Sequence, residues 1–259
     1  MKGLGVSEIQ ARQSSSRTAW KNTVLTTILV ISLAYLQWTF HRIASVQQIA
    51  DEFPELPSHC AHVQPIAPKT YIERQTQLAH TLSSLNASAY IAEPSASALF
   101  YVNISAETWR LSERPLLVAI THFKSFGGGD DVQANITILT PKFESSRAKL
   151  LPIPSPVFSS INYLAWAEHE DPYTTLVNGL GLSATDERPS KPKIFVDGST
   201  RLFIVDGIQA AAPGFQVESP PSEIRLLRER KTPEEIGILK CANEASSSVC
   251  VFTPNHSSN

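Results

Sequence analysis

With 259 residues, 22 basic against 24 acidic side chains and a formal net charge of −2, the chain has room for one or two domains and offers no basic face. That balance excludes a generic nucleic-acid binder, and no nucleic-acid partner is expected. Cys60, Cys241 and Cys250 do not make a metal-spaced set; a Cys241–Cys250 bridge is one option if the end folds back, free thiols the simpler one.

Residues 1–22 are polar, carry Lys2, Arg12, Arg17 and Lys21, and read as a disordered cytoplasmic arm. Residues 23–40 are uncharged; as a helix rising ~1.5 Å per residue they would span roughly 27 Å, enough for a thin bilayer. Tyr35 and Trp38 sit near the far end, where interfacial aromatics belong. A signal anchor, a cleaved signal peptide and a buried helix compete. The long basic arm and the poor cleavage site after Phe40 favour the anchor. The preceding positive charges then place the N-terminus in the cytoplasm, giving a single-pass type II membrane protein of the secretory pathway, with secretion after cleavage as the alternative.

Four glycosylation sequons follow the apolar segment, at Asn86, Asn103, Asn135 and Asn255, which fits export. Residues 41–69 contain Pro54, Pro57, Pro65 and Pro68 and read as a stalk. His59-Cys60-Ala61-His62 within it lacks a second ligand pair, so it is read as solvated rather than metal-binding.

Apolar spacing at Tyr71, Leu78, Leu82 and Leu85 predicts a helix over 71–85. Strands are expected at 89–92, 98–102, 116–120, 135–139, 193–196 and 224–227, and helices at 173–180 and 200–211, the latter broken near Gly207. The alternation argues an α/β class with a largely covered sheet. The expected domain spans 70–231, a connector helix 232–248 and a disordered tail 249–259.

Glu168-His169-Glu170-Asp171 gathers acid, base and metal-binding groups, yet adjacent residues diverge, so a helix start is the preferred reading. Gly127-Gly128-Gly129-Asp130-Asp131 lacks the Lys-Ser/Thr of a phosphate loop and reads as a plain loop. Arg201 is expected to pair with Asp197 or Asp206. No catalytic residue and no metal ligand is assigned. At the connector, Thr232 can cap a helix, Pro233 suits its first position, and Glu235 completes a capping box.

The connector segment 225–245, RLLRERKTPEEIGILKCANEA, resembles the linker of the aminopeptidase P, prolidase and creatinase family. Upstream, Glu93-Pro-Ser-Ala-Ser-Ala-Leu-Phe-Tyr-Val, Trp109-Arg-Leu-Ser-Glu-Arg-Pro-Leu-Leu, Leu139-Thr-Pro-Lys-Phe-Glu and Trp166-Ala-Glu-His-Glu-Asp-Pro-Tyr resemble the creatinase N-terminal domain of fungal-type Xaa-Pro peptidases, in matching order. The likeness covers about 68–245. It implies a ribonuclease H-like mixed sheet with flanking helices, oligomer contacts, and a part in shaping the substrate entrance. In the family, two divalent metal ions, typically manganese, sit in a C-terminal "pita-bread" domain whose motifs this sequence lacks. The expectation is therefore a membrane-anchored, non-catalytic N-terminal domain, cut off before the catalytic one and inactive alone. The alternative is a stand-alone dimerisation or regulatory module acting on a full-length relative.

Overall fold

The computed structural model of the protein describes residues 27–40, 59–124, 132–156, 161–182 and 191–252. The chain divides into two compact units, one comprising Met1–Val63 with Ile238–Asn259, the other Gln64–Gly237. The arm 1–22, most of the stalk, the glycine loop 127–131, Asn255 and the end of the tail lie outside the described residues.

The larger unit starts with α1 (Pro68–Ser84), which has proline in its first turn and buries Tyr71, Arg74, Gln75, Leu78, Ala79 and Leu82 along one stripe. β1 (Ala87–Ala92) follows, and then α2 (Ala96–Val102), where a strand was expected at 98–102. Its apolar run is short enough to serve either period. The ends decide it: the Ser95 hydroxyl accepts the Ala98 N–H, and Asn103 closes the helix in the left-handed region at φ 59°.

β2 (Leu117–Lys124) and β3 (Val132–Pro141) form an antiparallel pair in continuous register from Leu117↔Leu139 to Lys124↔Val132. A 3₁₀ turn at Lys142–Glu144 leads into the single turn α3 (Ser145–Ala148). Then come β4 (Asn162–Trp166), α4 (Pro172–Gly179), β5 (Lys193–Val196), α5 (Leu202–Ala211), β6 (Gln216–Glu218), α6 (Ser222–Glu229) and α7 (Pro233–Phe252). α6 replaces the strand expected at 224–227: only Ile224 of that run is buried, and Leu226 stays about half exposed. α5 runs unbroken through Gly207, so the expected break is absent, and the glycine sits where a side chain would collide with the ring of Tyr173.

The six strands make one mixed sheet in the order β4-β3-β2-β1-β5-β6. β1 is antiparallel to β2 and parallel to β5, while β3–β4 and β5–β6 are parallel. Side chains alternate between two cores. On one face Tyr90, Val118, Ile120, Ile136 and Ile138 pack with α1, α2 and Ile224 of α6. On the other, Ile91, Ala119, Leu139, Ile194 and Val196 pack with Leu176 of α4 and with Ile204 and Ile208 of α5. The class is mixed α/β with helices on both sheet faces.

In the smaller unit, residues 27–40 form a helix on which Ile28, Leu29, Val30, Ile31, Leu33, Tyr35, Leu36, Trp38 and Phe40 are all more than half exposed. Among the described residues, no helix is long and apolar enough to cross a membrane. Residues 23–26 of the expected span lie outside them. Cys60 and Cys241 are joined in a disulfide with Cα atoms 5.8 Å apart, correcting both the free-thiol reading and the Cys241–Cys250 alternative. Beside it, His59 Nε2 lies 3.2 Å from Glu244 Oε2, and His59, Ala61 and His62 stay exposed, so the run touches α7 and is solvated as expected. Sequence spacing could not reveal a pairing across 181 positions.

Candidate functional site

β1 and β5 lie side by side and point the same way, but the chain leaves them in opposite directions. After β1 it turns into α2 on the α1 face; after β5 it turns into α5 on the other. Such a divergence opens a crevice at the carboxyl ends of the strands, the usual ligand position in open α/β sheets. The first residue beyond each strand is a buried carboxylate, Glu93 after β1 and Asp197 after β5.

Asp197 is surrounded by donors. Its Oδ2 accepts the Tyr90 hydroxyl at 2.8 Å and the Ser97 hydroxyl, and its Oδ1 accepts the Ser199 N–H and hydroxyl at 2.8 and 2.7 Å. Arg228 Nη1, from α6, donates to Ser97 Oγ at 2.5 Å and stands 3.9 Å from Asp197 Oδ2. Burial alone would raise the Asp197 pKa; the hydrogen bonds from Ser97, Ser199 and Tyr90 outweigh it and hold the carboxyl below its ordinary value. Tyr90 moves the other way, raised by burial and by the charge of Asp197, so it remains a proton donor.

Glu93 faces Arg201, at the start of α5. The Arg201 N–H and Nε donate to its carboxylate at 3.1 Å, Nη2 at 2.6 Å, and Nη2 also reaches Ser112 O at 2.7 Å. The expected Arg201 partners, Asp197 and Asp206, are therefore replaced by a residue 108 positions away. Tyr173 of α4 has its hydroxyl pushed up to about 12, by burial first and then by the charges of Asp171 and Glu93.

The crevice has a volume of about 700 Å³ and is lined by Tyr90, Asp197, Ser199, Ser219, Arg225 and Arg228 among others. It can hold a polar ligand, yet its chemistry is that of a brace. Asp197, the buried carboxylate that lines it, is saturated by donors from β1, α2 and its own loop, Glu93 is held by Arg201, and no histidine or cysteine lines the cavity. Among the described residues no three His, Cys, Asp or Glu side chains come together, so these residues do not fit a divalent metal centre.

The residues singled out in the sequence fall elsewhere. Asp171 caps α4 through Thr174, Glu170 accepts the Ala167 N–H at 2.7 Å, and Glu168 pairs with Arg114 at 2.8 Å, so 168–171 form a helix start with divergent side chains. Thr232 Oγ1 accepts the Glu235 N–H at 3.3 Å, and Glu235 Oε2 accepts the Thr232 N–H at 2.9 Å, a reciprocal box with Pro233 as first helical residue. Asn86 is exposed in the turn after α1, Asn103 ends α2, and Asn135 lies on β3. Sequence reasoning missed the Glu93–Arg201 pair and the cluster of Tyr90, Ser97, Asp197 and Arg228, because only the β1–β5 pairing and α6 bring these distant residues together.

No sequence-family profile matches the chain. An uncharacterized peptidase of Schizosaccharomyces pombe is 35% identical over 176 residues, 67% of this chain. The chain spans only 35% of that relative's length. Among solved structures, the dipeptidase PepE of Mycobacterium ulcerans superposes with a TM-score of 0.56 at 17% identity, over 73% of this chain and 44% of its own. A recombinant prolidase of Thermococcus sibiricus gives 0.50 at 14% identity, with the same coverage. At these identities the structural likeness is one of fold: the sheet and its helices are shared with part of dipeptidase and prolidase chains.

Proposed function

We propose that the larger unit is the creatinase-type N-terminal domain of a fungal-type Xaa-Pro peptidase-like protein, and that it shapes and supports a substrate entrance without cleaving the peptide bond. One observation carries this reading: one chain has both sequence likeness to a peptidase and fold likeness to a dipeptidase and a prolidase, each over most of its length and over the lesser part of a longer chain. The donor-saturated carboxylates beyond β1 and β5, of which Asp197 lines the crevice, suit rigid support rather than proton transfer. α7 leaves the domain at the Thr232 box as a connector. A catalytic domain beyond it would hold the divalent ions, typically manganese, and these would supply the Lewis-acid chemistry. Subunit contacts made through the domain belong to the same reading.

The protein is further proposed to be exported and held at a membrane by its apolar N-terminal segment. Exposed apolar side chains on 27–40 support this, since water penalises such a surface and a lipid phase relieves it. The Cys60–Cys241 bond supports an oxidising compartment.

The test is direct. The purified full chain, given an Xaa-Pro dipeptide and manganese, should release no proline above the buffer rate. Release that scales with protein concentration and stops on chelation would sink the non-catalytic reading.

A further inference from the structure

Three of the four sequons fall among the described residues, and the fold treats them differently. Asn86 lies in the turn between α1 and β1, exposed, with φ 52° lifting it out of the helix. Its backbone N–H is engaged with Ser83 O at 3.3 Å. Its side-chain amide makes no hydrogen bond among the described residues.

Asn103 has the same motif and the opposite setting. Its Nδ2 donates to Pro152 O at 3.3 Å, and its Oδ1 accepts the hydroxyl of buried Tyr71 at 3.2 Å. That amide pins the end of α2 to α1 and to the 152–154 segment, and a sugar on Nδ2 would occupy the place of the Pro152 carbonyl. Asn135 is half-buried on β3, its backbone in register with Thr121 of β2. Thr137, two residues on and on the same face, is fully buried. A glycan at Asn135 would stand where the sheet surface closes over.

We propose that Asn86 is the glycan-bearing residue of the folded domain, and that Asn103 and Asn135 carry none; this rests on the export reading above. The co-reactant is a polyprenol-diphosphate-linked oligosaccharide. Asn86 Nδ2 forms the new bond to C1 of the first sugar, the bond from C1 to the diphosphate oxygen breaks, the amide gives up one proton, and polyprenol diphosphate leaves. Ser88 completes the motif.

The experiment expresses the full chain in a eukaryotic secretory host in an Asn255→Gln background, so that only the domain's sequons remain. One endoglycosidase-sensitive glycan is expected. It should vanish in Asn86→Asp, a change that tolerates the left-handed backbone. It should vanish equally in Ser88→Ala, which leaves Asn86 in place, and persist in Asn103→Gln and Asn135→Gln. A glycan that survives both the Asn86→Asp and Ser88→Ala changes overturns the proposal, as does a second one lost with Asn103→Gln or Asn135→Gln. Non-reducing peptide mapping of Cys60 and Cys241 separates the two remaining cases. No glycan with the disulfide formed defeats the Asn86 assignment alone; no glycan with both thiols free defeats the export reading and the assignment with it.

Discussion

Arg74 and Glu235 fasten the body of the domain to the first turn of its last helix. Arg74 Nη2 lies 3.1 Å from Glu235 Oε2, the oxygen that also accepts the Thr232 N–H. The guanidinium, only 5% exposed, lies over the Phe100 ring at 4.1 Å and donates to Phe100 O at 3.0 Å. One carboxylate thus serves as helix cap and as counter-ion for a buried cation. Arg74→Met should cost about 3–5 kcal/mol in urea unfolding, because it strands a shielded charge. Adding Glu235→Gln should recover part of that loss. A double variant weaker by the full sum of the singles would show that the two side chains do not act together.

Asp197→Asn replaces an acceptor that takes four hydrogen bonds with a group that must donate on one side. A loss of about 1–3 kcal/mol at neutral pH is expected. The pH dependence has a definite sign. The folded pKa lies below the unfolded value of about 3.9, so the stabilisation is complete above that value and is lost as pH falls through the folded one. Chemical denaturation at pH 7 and at successively lower pH should therefore show wild type and Asp197→Asn converging in acid. Curves that stay parallel would remove Asp197 from the acid response.

How far the fold could be read from the sequence depended on the range of the signal. α1, β2, β3 and β5 are legible because their apolar periods are long or strongly β-branched. α2 and α6 fit a strand period as well as a helical one because their runs hold only three to five apolar residues, and the signals that decide are the Ser95 cap and the Pro220-Pro221-Ser222 start. β4 and β6 went unread: their residues are mostly half-exposed edge positions with little pattern. The capping box at Thr232 is local and could be read directly. The Glu93–Arg201 pair and the Asp197 cluster join residues about 100 positions apart, and no spacing rule reaches that far.

Gly207 offers a test in which two effects oppose each other. Helix propensity favours Gly207→Ala by about 1 kcal/mol. The Tyr173 ring occupies the space the new methyl needs, so overpacking of about 1–3 kcal/mol is expected to win. Gly207→Ala should melt below wild type, and Gly207→Ala with Tyr173→Leu should recover. A higher melting temperature for the single variant would mean that the ring moves aside freely.

Reducing the Cys60–Cys241 bond opens a loop closed across 181 positions, and loop entropy alone makes that worth about 5 kcal/mol. Cys60→Ser, Cys241→Ser and the double variant should lose the same stability, and thiol reductant should then add nothing. Additive losses from the two single changes would mean that each sulfur contributes by packing instead of through the bond.

The same bond governs how the chain carries tension. A pull between any residue before Cys60 and any residue after Cys241 passes directly from sulfur to sulfur, and the polypeptide between them bears none of it. The sheet, the crevice and the Arg74–Glu235 fastening all lie within that slack loop. A domain tethered by one end to a moving surface and loaded at the other would keep its shape for as long as the disulfide holds.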